Sequence, residues 1–201
     1  MLAGVASFTG ISATGKTLER LLNAALAVDK PHDPKAVKAV LVRTDDFDTS
    51  SGPLSGGPRL SIFLYRVEVD PVTRAGWASV GSFDGRAHLP LDLHYLLTAW
   101  ADGAEFEHDI LGSAMACLET TPILSGPLLH PSSAWEPNEG IQVGSEDVST
   151  DNLMRIFDSL ETSYRVSLPY RARVVRIDGA VAVPPPTVTD VIVGSRPGLD
   201  A

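Results

Sequence analysis

Apolar and polar positions alternate over two stretches of the chain, RLSIFLYRVEVDP from Arg59 and HLPLDLHYLLTAWA from His88. Alternation marks a strand, whose successive side chains point to opposite faces. In the first stretch Leu60, Ile62 and Leu64 share one face and Phe63, Tyr65, Val67 and Val69 the other. Both faces are largely apolar, which predicts a central strand covered on two sides. The second stretch puts Leu89, Leu91, Leu93, Tyr95 and Leu97 on one face, with His88, Asp92 and His94 opposite. SLPYRARVVRID, from Ser167 to Asp178, has the same strand character. AVKAVLVRT, from Ala36 to Thr44, and a short run around Gly140 to Val143 predict two more strands.

The period becomes helical in three places. TGKTLERLLNAALAVD, from Thr14, aligns Leu18, Leu21, Leu22, Ala25 and Leu26, and the prolines at 31 and 34 end that helix. A second helix is expected over Glu105 to Glu119, with Ile110, Leu111, Ala114, Met115 and Leu118 as its apolar stripe. A third starts at Ser149 or Thr150, either of which can cap it, and aligns Leu153, Ile156, Phe157 and Leu160. DPVTRAGWASVGSFDGRA, between the two central strands, is too poor in apolar periodicity to hold a helix. Three strands then follow one another without a helix, an order that favours an antiparallel or mixed meander over repeated strand-helix-strand crossovers. The expected fold class is α/β (α+β): a mixed, largely antiparallel sheet flanked by about three helices.

Residues 1–183 are expected to form one domain, and residues 184–201 a Pro-rich C-terminal tail. Pro184, Pro185 and Pro186 make an extended spacer, and TVTDVIV beyond them alternates like a strand without a partner in its own domain. Such a strand is suited to adding onto the sheet edge of an adjacent subunit, so Val188, Val191 and Val193 are candidate interface residues.

Three blocks, LSIFLYRVEVDP, LPLDLHYLLTAWA and YRVSLPYRARVVRID, agree in wording, order and spacing with a known family. Over residues 14–180 the chain resembles the cap or tube-terminator proteins of phage-tail-like contractile injection systems of the antifeeding-prophage type. The resemblance implies a tail-terminator-like α/β domain and a structural, non-enzymatic role. It further implies a homohexameric ring on the end of the inner tube, with the inner tube protein and the sheath protein as partners and no cofactor. Assembly would take place in the cytoplasm, as part of a particle either released or retained.

Composition narrows the alternatives. With 44% hydrophobic residues, a chain of 201 residues can bury a sizeable core. Its formal charge of −9 repels phosphate backbones, so nucleic acid is not expected as a partner. The longest apolar runs fall short of the ~20 residues needed to cross a bilayer, so no membrane partner is expected and the protein reads as soluble. Cys117 is the one cysteine, set among small apolar neighbours, and forms no disulfide within the chain.

Candidate chemistry is sparse. Gly10 to Thr17, GISATGKT, matches the phosphate-binding loop G-x-x-x-x-G-K-[ST], in which Lys16 would reach terminal phosphates and Thr17 would hold Mg²⁺. The stretch before it makes a poor buried strand, and a helix start capped by Thr14 or Thr17 with Lys16 solvated accounts for the same letters. A small nucleotide-binding enzyme using this loop is the alternative reading. A generic binding module gripping a partner with loops 45–58 and 122–139 is a third. Asp92 and His94 could share a metal ion, but His88 and His94 lie roughly 20 Å apart at strand spacing and could not. Arg171, Arg173 and Arg176 are the only basic cluster. Simple alternation sets Arg171 and Arg173 on one face and Arg176 on the other, which suits separate ion pairs at a subunit or partner interface.

Overall fold

The computed structural model describes residues 8–29, 36–47, 51–77, 87–133, 135–160 and 162–179. Its sheet contains β1 (Lys38–Val42), β2 (Arg59–Val69), β3 (His88–Trp100), β4 (Ile123–Ser125), β5 (Gly140–Ser145) and β6 (Ser167–Asp178). They lie side by side in the order β1-β2-β3-β6-β5-β4. Only β1 and β2 run parallel, and the other neighbours are antiparallel. The sheet is therefore mixed and largely antiparallel, as the alternation predicted, with β3 at its centre.

Helices cover both faces. On one face α1 (Gly10–Asp29) and α3 (Ala104–Thr120) bury Leu18, Leu22, Leu26, Ile110 and Leu118 against Leu60, Ile62, Leu93, Tyr95 and Leu97. On the other, α4 (Thr150–Ser159) sets Leu153 and Phe157 against Phe63, Leu96 and Trp100. Phe47 and Leu54, from two 3₁₀ turns in the loop after β1, complete this second core. Removing this apolar surface from water at ~25 cal/mol per Å² is what holds the layers together. The Ser149 hydroxyl accepts from the Asn152 N–H and caps α4, one of the two caps the sequence offered.

Several expectations are corrected. Helix α1 begins at Gly10, and neither Thr14 nor Thr17 caps it; both hydroxyls lie inside the helix and donate to the carbonyls of Gly10 and Ala13. A further short helix, α2 (Pro71–Trp77), occupies part of the connection expected to hold none. The Asp70 carboxylate accepts from the Val72 N–H, a donor that the first turn leaves unpaired, and from the Thr73 hydroxyl. Met115 is 43% exposed and lies off the buried stripe of α3. The Pro-rich stretch after α3 contains β4 and a 3₁₀ turn, Gly126–Leu128.

Two bulges redirect the alternation. In β2 the register slips between Leu64, opposite Tyr95, and Arg66, opposite His94. An extra residue in one strand resets which way the later side chains point. Val67 and Val69 consequently lie opposite Leu93 and Leu91, on the face of Leu60 and Ile62, where simple alternation had put them on the other. In β6, Ala172 pairs with Leu93 and Val175 with Leu91, so Arg173 and Val174 together oppose Asp92. Both Ala172 and Val175 belong to the first core, and Arg176 thereby shares the opposite face with Arg171, contrary to expectation.

Candidate interaction surfaces

The glycine-rich match at Gly10–Thr17 is built into the first two turns of α1. A phosphate loop needs backbone N–H groups turned toward a ligand. Here the Ala13 N–H bonds to the Thr9 carbonyl, and Thr14, Gly15 and Thr17 are buried. The Thr17 hydroxyl accepts from the His130 N–H at 2.8 Å, and a Cβ on Gly15 would come within 3.0 Å of Leu41. Lys16 points to solvent. The motif is used for packing, so the nucleotide-enzyme reading loses its structural basis.

The polar side chains of β2, β3 and β6 form a ladder on the face opposite the first core. His94, 1% exposed, holds Glu146 Oε2 at 2.8 Å through Nδ1, and its Nε2 lies 3.4 Å from Glu68. Tyr65 donates to Glu146 Oε2 at 3.2 Å and Arg66 to Oε1 at 3.3 Å. Burial, and then the Glu146 charge, push the Tyr65 phenol up to about 12. Arg171 stands 3.9 Å from Asp92, and Arg173 stands 3.5 Å from Asp70. Arg176 Nε lies 2.9 Å from Asp178, whose Oδ1 also meets His88 Nδ1.

The three arginines of the predicted cluster thus each stand beside a carboxylate of their own chain. Asp92 and His94 are drawn to different partners, Arg171 and Glu146. Among the described residues no group of three His, Cys, Asp or Glu is placed to hold a metal ion. Charges paired this way neutralise one another locally and position side chains; they do not present a nucleophile beside a base. Val188, Val191 and Val193 lie outside the described residues.

The two loops expected to grip a partner are tied to the body. Thr44–Phe47 and Gly52–Leu54 anchor the first through Phe47 and Leu54. The Arg20 guanidinium gathers the carbonyls of Pro127, Leu128 and Leu129, and the Trp135 indole N–H donates to the His130 carbonyl, fixing the second. Among the described residues no helix is long and apolar enough to cross a membrane. What sequence reasoning missed is Glu146, the acceptor for three side chains. Lying just past a short strand, it carries no local signal.

The chain matches the family model described as the Pvc16 N-terminal domain over residues 13–190. Among solved structures it is similar to the sheath/tube terminator of PVC, an extracellular contractile injection system, in the extended state. That match has 19% identity and a TM-score of 0.53, covering 92% of this chain and 64% of that one. It is also similar to the tube-terminating cap of the anti-feeding prophage (AFP), with 16% identity and a TM-score of 0.53 over 89% of this chain and 60% of that one. The chain therefore spans somewhat under two thirds of the length of either solved protein. No curated protein sequence matches it.

Proposed function

The chain belongs to the Pvc16 N-terminal domain family, and from that premise we propose that it is a structural cap that ends the inner tube and the sheath of a contractile injection system. The observation that carries the reading is the fold itself: nearly the whole chain superposes on two proteins that terminate such tubes.

A terminator acts by geometry. Copies arranged in a closed ring offer the last tube layer one complementary face and present no polymerising face on the other, so growth stops. Six copies match the ring implied by the sequence resemblance. A rigid sheet covered on both faces by helices suits a part that must hold a fixed outline under load, and so does an internally paired charge ladder. Arg171, Arg173 and Arg176, with Val188, Val191 and Val193 of the tail, are the proposed contacts to neighbouring copies, tube protein or sheath protein. Assembly would take place in the cytoplasm, without cofactor, nucleic acid or membrane, and the role is non-enzymatic.

Mixing the purified chain with tube protein tests this reading. The mass of the chain is read alone and with tubes by multi-angle light scattering, and tube ends are inspected by electron microscopy. Rings of six seated on tube ends, with tube elongation arrested, are the expected result. Tubes that lengthen unchanged beside a monomeric chain would overturn the reading.

A further inference from the structure

The second half of β2 is a sheet edge. β1 pairs with Arg59–Phe63 only, whereas β2 continues to Val69. Among the described residues, Leu64–Val69 therefore has a strand partner on the β3 side alone. An open edge presents backbone donors and acceptors ready for one more strand. The bulge after Leu64 also turns Val67 and Val69 toward the face of Leu60 and Ile62, where they remain 45% and 37% exposed.

Beside Leu64 that face opens into a groove of about 500 Å³. Leu41, Leu64 and Tyr95 line it from the sheet, Phe8 from just before α1, and Ile11 and Gly15 from its first turns. The Tyr95 hydroxyl is buried and has no hydrogen-bond partner among the described residues.

We propose that this edge and groove receive the strand Thr187–Val193 of a neighbouring copy. The inference rests on the ring reading and gives the ring its strand acceptor. Alternation in TVTDVIV puts Thr187, Thr189, Val191 and Val193 on one side and Val188, Asp190 and Ile192 on the other. Laid on the edge, Val191 and Val193 meet Val67, Val69 and the groove, while Asp190 falls on the side of Arg66, whose side chain is 45% exposed.

The ring reading makes a neighbour's edge, and not the chain's own, the acceptor. β2 and β6 both run antiparallel to β3 and end together, Val69 opposite Leu91 and Leu91 opposite Val175. The chain leaves the sheet at Gly179, whose N–H donates to the Ala87 carbonyl at 2.7 Å. To reach its own edge the chain would have to reverse and cross three strand spacings, about 14 Å, within the eight residues before Thr187, an outcome the light and heavy copies below distinguish.

The test places the photo-crosslinking residue p-benzoylphenylalanine at Val67, and separately at Val69, in the full chain. Isotopically light and heavy copies are co-assembled and irradiated, and crosslinked peptides are sorted by mass while light scattering reports assembly size. The expected result is crosslinks into residues 187–193 joining light to heavy copies. Crosslinks to that segment only within one copy would overturn the exchange between neighbours. Crosslinks elsewhere in an intact ring would overturn the strand while leaving the ring standing. A monomer without crosslinks to the tail would overturn both.

Discussion

His94 Nδ1 meets Glu146 Oε2 at 2.8 Å, although β6 lies between the strand that carries His94 and the one that leads into Glu146. Glu146 reaches this position because its N–H donates to the Pro169 carbonyl at 2.9 Å, one residue beyond β5. Its carboxylate thereby also accepts from Tyr65 and Arg66. One side chain ties together β2, β3 and the far end of β5, three of the strands whose relative placement fixes the outline of the domain.

Replacing that carboxylate should cost more than an ordinary surface change. Glu146→Ala leaves the partly buried Tyr65 hydroxyl and the buried His94 ring without this acceptor, and an unsatisfied buried polar group costs about 1–3 kcal/mol. A lower urea midpoint with an unchanged slope is expected, and Glu146→Gln, which keeps one acceptor oxygen, should lose less.

Stability should decline on the alkaline side. Burial, with the Glu146 charge adding to it, raises Tyr65 to about 12, and burial also raises Tyr95 and Tyr170 above the ordinary 10.0. A phenol that holds its proton more tightly when folded contributes stability fully present below the unfolded value, and this is lost as pH rises through the folded one. Tyrosine absorbance near 295 nm followed against pH, with circular dichroism alongside, should show ionisation delayed beyond pH 10 and merging with unfolding.

Asp70 works in the opposite sense. The Thr73 hydroxyl above all, with the Val72 N–H and Arg173, holds its carboxyl below the ordinary 3.8, against an upward push from burial second only to that of Thr73. Its contribution is therefore present above that value and lost as pH falls through the lower folded one. Asp70→Ala should lower the thermal midpoint at neutral pH, by a difference that shrinks under acid.

The phosphate-loop letters give a paired prediction. A Cβ at Gly15 would sit 3.0 Å from the Leu41 side chain, so Gly15→Val should overpack the contact between α1 and β1 at a cost of about 1–3 kcal/mol. Lys16→Ala, on the solvent side of the same helix, should stay within about 0.5 kcal/mol. Denaturant melts of both variants check this, and nucleotide should shift neither.

Regular alternation made β2, β3 and β6 readable in the sequence, and helical period did the same for α1, α3 and α4. What escaped was set by single extra residues and short elements. The bulges near Tyr65 and at Arg173–Val174 depend on how two strands register in space, so simple alternation puts Val67, Val69 and Arg176 on the wrong faces. Helix α2 has only seven residues and no apolar stripe, although Asp70 followed by Pro71 was a usable start signal. Strand β4 has three residues within a Pro-rich stretch, too few for a period to show. The fold was thus legible where patterns repeat, and the surfaces were not, since an open edge is defined by where a different strand stops.

The most direct measurement of the central claim is the length distribution of injection particles, by negative-stain electron microscopy, from source cells with and without this gene. The account predicts a narrow distribution of capped particles with the gene, and ragged, uncapped tubes and sheaths of scattered length without it. Particles of unchanged length with normal caps in its absence would contradict it.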